Sequence, residues 1–228
     1  MEKPYVKKFC EIEDFKVWIV DGAYIRGNVD EEFTNCGQHF EFKFIPQDEF
    51  WIDRVRTPGE EKYYIDSMMM MNRLIAKGES RAKAIETANK IEKRERAKSK
   101  LMREELKIKS DKKLTDSVHV KPLKTYGRKV KVWIVNGEAV RDLFFIDFTE
   151  GGHDKVYPFI PANEIWIDDD VFPKERKFVF LHEVHERNLM SEGMCYDDAH
   201  KDSSKIELYC RTHPEETEKK IKIEIAKE

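Results

Sequence analysis

The chain has 228 residues, 40% of them apolar and 38% charged, with a net charge of −3. That length supports one large or two small cores, and a charge so near neutrality gives no global drive toward nucleic acid or an anionic membrane surface. No apolar stretch approaches the roughly 20 residues that span a bilayer. The first residues lack the apolar core of a signal peptide, and four cysteines without CxxC spacing read as reduced thiols of a cytoplasmic protein.

Much of the chain is written twice. KVWIVDG at 16–22 returns as KVWIVNG at 131–137, and FIPQDEFWID at 44–53 returns as FIPANEIWID at 159–168. Gly78 recurs as Gly193 and Lys90-Ile91-Glu92 as Lys205-Ile206-Glu207, every pair 115 positions apart. A repeat this long marks two related modules. The first is expected over 1–92, a charged helical connector over 93–129, and the second module over 130–228.

Each module opens on a β-branched and aromatic run, VWIV at 17–20 or 132–135. The Asp21-Gly22 and Asn136-Gly137 pairs that follow predict a hairpin, with 23–26 and 139–148 as the returning strands. A glycine-bearing loop comes next, at 36–39 and 150–154. Then Pro46 or Pro161 leads into FWID or IWID, strands expected at a bend or an edge because of the proline. The second half of each module is helical by its spacing. Tyr63 to Lys77 and Ser80 onward make the pair in the first copy, and 174–192 and Tyr196 to Tyr209 in the second. Gly78 and Gly193 suit the helix ends, and Asp53 and Asp168 suit N-capping. Met68 to Met71 predict a helix lining an interface with the other module, with a soft binding surface as the alternative. The tail, KKIKIEIAKE, alternates isoleucine with charge and reads as a last strand or a frayed end. The fold class is therefore α+β: a tandem duplication of a module with a small antiparallel sheet followed by a helix pair.

The connector carries ten basic and five acidic residues between Lys93 and Asp116. It lacks interleaved aromatics to stack on bases, so a solvated helix face is favoured over nucleic-acid binding through Lys93–Lys113.

The two copies differ where chemistry would sit. The second reads LHEVHE at 181–186 where the first reads DSMMMM at 66–71. Within a helix, His182 shares a face with either His185 or Glu186. An imidazole and a carboxylate one turn apart make a candidate ligand pair for Zn²⁺, which accepts His nitrogen and Glu oxygen. Glu183, one residue after the first histidine, stands where a carboxylate reaches a water on the metal without binding the metal itself. A polar surface face is the alternative for all of these. His153, in the Gly-Gly-His-Asp loop, is expected to cap a turn, with a further ligand or a transition-state donor as alternatives.

HEVHE, preceded by the IWID strand and the start PKERKFVFL, resembles the zincin metallopeptidases, with HExxE in place of their HExxH. With NLMSEGMCYDDAH at 188–200 it resembles phage and prokaryotic proteins in which HExxE is followed by GxxYxxAH. The resemblance spans roughly 159–210, about a quarter of the chain. It implies a zinc-dependent hydrolase, and within that class a peptidase acting on protein or peptide. Its metal would be held by His182, Glu186 and His200, with His185 as the alternative ligand and Glu183 as the base. The first copy has Ser67, Met71, Ile85 and Met68 at these four positions, so the whole set is missing together. That pattern describes an equipped module beside a degenerate one. Two further readings stand beside it: a non-catalytic interaction protein in which a metal braces two helices, and a nucleic-acid accessory protein acting through the connector.

Overall fold

A computed structural model of the chain describes residues 3–98, 114–123 and 129–227. It divides into two compact units, Met1–Ile108 with Arg141–Asp147, and Lys109–Val140 with Phe148–Glu228. The fold is α+β and tandem. The first unit runs β1 (Tyr5–Ile12), β2 (Phe15–Val20), α1 (Gly22–Asn28), β3 (Cys36–Gln38), β4 (Glu49–Asp53), α2 (Glu61–Ala76) and α3 (Arg81–Arg96). There follow α4 (Leu114–Ser117), β5 (His119–Pro122), β6 (Lys131–Val135), α5 (Gly137–Leu143), β7 (Gly151–His153) and β8 (Glu164–Asp168). The helices α6 (Arg176–Ser191), α7 (Tyr196–Thr212) and α8 (Thr217–Lys227) complete the chain.

Each unit holds a four-stranded sheet, ordered β1-β2-β4-β3 and β5-β6-β8-β7. The outer pairings are antiparallel, as expected, but the central one is parallel: β2 with β4 sets Trp18 opposite Trp51, and β6 with β8 sets Trp133 opposite Trp166. A parallel pair cannot be closed by a two-residue hairpin and needs a crossover. The predicted hairpins are therefore absent, and helices α1 and α5 begin where the returning strands were expected.

The Asp-Gly and Asn-Gly pairs serve those helix starts. Asp21 Oδ1 accepts the N–H of Tyr24 at 3.3 Å, and Asn136 Oδ1 accepts that of Ala139 at 2.8 Å, each satisfying a donor that the first turn leaves free. The glycine is needed for room. A Cβ on Gly22 would lie 1.8 Å from Asp53 Oδ2, and one on Gly137 2.0 Å from Asp168 Oδ2. Asp53 is not a cap for the helix after it. It is buried, accepts the N–H groups of Gly22 and Val55, and binds Arg26 Nη1 at 3.0 Å. Pro46 and Pro161 mark no edge either: β4 and β8 are interior strands, and each proline carbonyl accepts the N–H of the strand's first residue.

The core of each unit lies between sheet and helix pair. Val17, Ile19, Phe50 and Ile52 meet Tyr64, Ile65, Met68 and Met69 in the first; Val132, Ile134, Ile165 and Ile167 meet Phe178, Val179, Leu181 and Val184 in the second. Met68, Met69 and Met71 fill their own module's core. Gly78 and Gly193 end their helices at φ of +89° and +99°, the left-handed geometry that favours glycine. The tail is helix α8, not a strand. Thr217, Ile221 and Glu224 are buried at helical spacing while Ile223 is exposed. Strand β5 falls inside the stretch assigned above to a connector and pairs with β6; residues 99–113 and 124–128 of that stretch, and with them most of Lys93–Lys113, lie outside the described residues.

Candidate metal centre

Helix α6 passes over the sheet with Phe178, Leu181 and Val184 in the core. That seating turns His182 and Glu186, one turn apart, toward α7. Gly193 ends α6, and the chain turns back so that His200 on α7 reaches the same point. His182 Nε2 lies 3.2 Å from His200 Nδ1 and 3.4 Å from Glu186 Oε2, and His200 Nδ1 lies 2.8 Å from that oxygen. Tetrahedral zinc with ligands at 2.0–2.1 Å requires ligand-to-ligand spacings of about 3.3 Å. The triangle of two nitrogens and one oxygen is close to that size.

The chemistry of the donors fits as well. Glu207 Oε2, on α7, lies 2.9 Å from His182 Nδ1, so that nitrogen carries a proton and donates it. Nε2 then faces the triangle, where giving up its proton to a cation would leave a lone pair directed at the ion, the carboxylate–histidine arrangement that orients metal-binding imidazoles. Glu207 is itself held by Arg211, whose Nε and Nη2 lie 2.9 and 2.7 Å from Oε1, and Arg211 also pairs with Glu175. Burial works against the Glu207 charge, yet the His182 hydrogen bond and the Arg211 guanidinium bring its pKa down to about 2. Burial would likewise lower His182, but its bonds to Glu186 and Glu207 hold it well above the usual histidine value. Glu186 sits far below the carboxylate range: burial opposes ionisation and three imidazoles (His153, His182 and His200) outweigh it. Buried acceptors and imidazoles at such spacing require cations among them, either protons or a metal ion.

Glu183 stands next to the triangle, facing β7. A Cβ on Gly151 would lie 2.9 Å from Val179 Cγ1 and 3.1 Å from Glu183 Oε1, so the glycine makes room for both of these α6 side chains. Burial, reinforced by the Glu186 charge and opposed by the nearby histidines, raises the Glu183 pKa to about 8. The side chain of His200 is 32% exposed, against 11% for His182 and 4% for Glu186, so solvent reaches the triangle on the His200 side. Tyr196, itself exposed, stacks on the His200 ring with centroids 5.4 Å apart.

His182, Glu186, His200 and Glu183 are thus gathered in one place, and His185 is not among them. It turns away from the triangle, its Nε2 3.2 Å from Asp202 Oδ2 on α7 and its Nδ1 3.0 Å from Glu224 Oε1 on α8. His153 does cap the turn after β7, its Nδ1 accepting the N–H of Lys155 at 3.2 Å, but that is not its whole role. It is a fully buried strand residue whose Nε2 lies 3.0 Å from Glu186 Oε1. Its offset from Gln38 suggested a loop, and only the strand after Gly152 shows where the ring goes. Glu207 was visible in the shared Lys-Ile-Glu triplet but reads there as scaffold. It is scaffold: in the first unit its counterpart Glu92 bonds Ser67 and takes Arg96 Nε at 2.9 Å. The consecutive acids Asp168, Asp169 and Asp170 also cluster, but Asp168 and Asp169 accept the backbone N–H groups of Asp170 and Gly137. No family model, curated protein or solved structure matches the chain.

Proposed function

We propose that the second module is a zinc-dependent hydrolase, with an amide in protein or peptide as its substrate, and that the first is its degenerate copy. The observation that carries this is the convergence of His182 Nε2, His200 Nδ1 and Glu186 Oε2 within 2.8–3.4 Å of one another. A zinc ion there would supply Lewis acidity, lowering the pKa of water toward neutrality and polarising a carbonyl. His182, Glu186 and His200 would hold the ion, and Glu207 would fix the tautomer of His182. Glu183 would take the proton of the attacking water and pass it to the leaving amine. A pKa of about 8 in the metal-free site suits that exchange near neutrality, and a neighbouring dication would draw it lower.

A second reading, a metal that only braces two helices of an interaction protein, is favoured by the placement of the ligands on both α6 and α7. Two variants separate them. His182→Ala is expected to abolish the one zinc per chain measured by mass spectrometry on untagged protein, and full retention would overturn the ligand assignment. Glu183→Gln is expected to keep the zinc and to cut hydrolysis of a peptide library by at least about 10²-fold. Wild-type protein that binds zinc and cleaves nothing in that library supports the brace.

A further inference from the structure

A second group converges on the same carboxylate. A ring nitrogen of His153 and a carboxylate oxygen of each of Glu183 and Glu186 lie within 4.8 Å of one another. Two groups sharing Glu186 could hold a pair of cations bridged by it, as dicarboxylate centres do. The hydrogen bonding of His153 decides otherwise. Its Nδ1 accepts the backbone N–H of Lys155 at 3.2 Å, so in the neutral ring the proton sits on Nε2. That nitrogen, 3.0 Å from Glu186 Oε1, donates and has no lone pair to offer a cation. The arrangement is held firmly. His153 is fully buried and pairs with Ile165 across β7 and β8, and its carbonyl accepts the N–H groups of Val156 and Tyr157 in the following turn.

We propose that His153 is a positioning residue: by donating to Oε1 it leaves Glu186 only Oε2 for a cation between His182 and His200, so the chain takes one metal ion and not two. This deepens the metal reading above and rests on it. The first unit keeps the same tie between strand and helix without the chemistry, since Gln38 Nε2 donates to the carbonyl of Met68 at 3.3 Å.

The test uses untagged full-length chain, loaded with Co²⁺ and dialysed, as wild type, His153→Ala and His153→Gln. Ions per chain are counted by mass spectrometry, and affinity is measured by chelator competition. One ion per chain is expected in all three. His153→Ala should bind about 10–100-fold more weakly, the usual cost of losing an outer hydrogen bond to a ligand. His153→Gln, whose amide can still donate, should return to within a few-fold of wild type. Two ions in wild type, unchanged affinity in His153→Ala, or His153→Gln no better than His153→Ala overturns the assignment while leaving the metal reading standing. Wild type that takes up no Co²⁺ overturns both. Should His153→Ala fail to fold by circular dichroism, His153→Gln decides alone: near wild-type affinity supports the role, and loss of the ion makes the ring a ligand.

Discussion

The residues around His182 illustrate how a polar cluster can be forced by packing. Phe178, Leu181 and Val184 must face the sheet, and the 3.6-residue period then sends His182 and Glu186 to the α7 side. Much of that was legible in the sequence: the spacing named His182 and Glu186, and Gly193 signalled the turn that brings His200 back. The partner of His182 Nδ1 was not, because a glutamate 25 positions away on another helix leaves no local trace. Gly137 shows the same limit. Its identity is explained only by Asp168, which lies 2.0 Å from where a Cβ would stand. Gly137→Ala is expected to cost about 1–3 kcal/mol by overpacking, read by urea denaturation. In an Asp168→Ala background the added cost should shrink, and strict additivity would show that the carboxylate is not what excludes the methyl group.

Among the elements, α8 departs furthest from its expected form. Isoleucine at every second position mimics a strand, yet Ile221 packs in the core, Ile223 is exposed and Ile225 is only partly buried. The helix wins because 217, 221 and 224 fall on one face and each finds a seat. Glu224 is the anchor: it meets His185, and its Oε2 accepts Asn188 Nδ2 at 3.0 Å. Burial opposes its charge, but these bonds lower its pKa to about 2. For a depressed carboxylate the contribution to docking is complete above the unfolded value near 4.5 and disappears as pH falls toward 2. His185 is raised, its burial outweighed by Glu224 and Asp202, so its contribution is complete below about 6.5 and is lost as pH climbs through the folded value. Amide exchange in Thr217–Lys227 should therefore be slowest between those limits, after correction for intrinsic rates. A flat pH profile would remove Glu224 and His185 as the anchor. Helices α1 and α5 teach a related lesson. Asp-Gly after a strand carries the same letters whether it closes a hairpin or caps a helix, and the decision is made by β4 and β8 arriving parallel.

At the scale of the whole molecule, one scaffold appears twice and its polar supports are kept in both copies. In the first unit Arg96 is fully buried and pairs with Glu60, Glu92 and Asp142, and Glu60 also holds Arg141. Burial opposes the Glu60 charge, and Arg141 and Arg96 nonetheless lower its pKa. Glu60→Ala would leave buried guanidinium charge undercompensated, at a cost of about 3–5 kcal/mol, measurable as earlier urea-induced exchange in α2 and α3. Zinc should act on the other unit only. At 100-fold excess over its dissociation constant it adds about 2.7 kcal/mol to whatever binds it, and protection should rise in α6 and α7 but not in α2 and α3. The duplication itself was plain in the letters, because two Trp strands and two helix-ending glycines recur at one offset. The supports matter for what could be built. Glu92 already stands beside position 67, where it would receive the Nδ1 of an imidazole, and Arg96 already braces it. The first module is in effect a socket with its frame retained, and refitting it would need new donors without a new backbone. Ser67→His, Met71→Glu and Ile85→His together should let the first module bind a zinc ion, read as one more ion per chain than the unaltered protein takes up, by mass spectrometry.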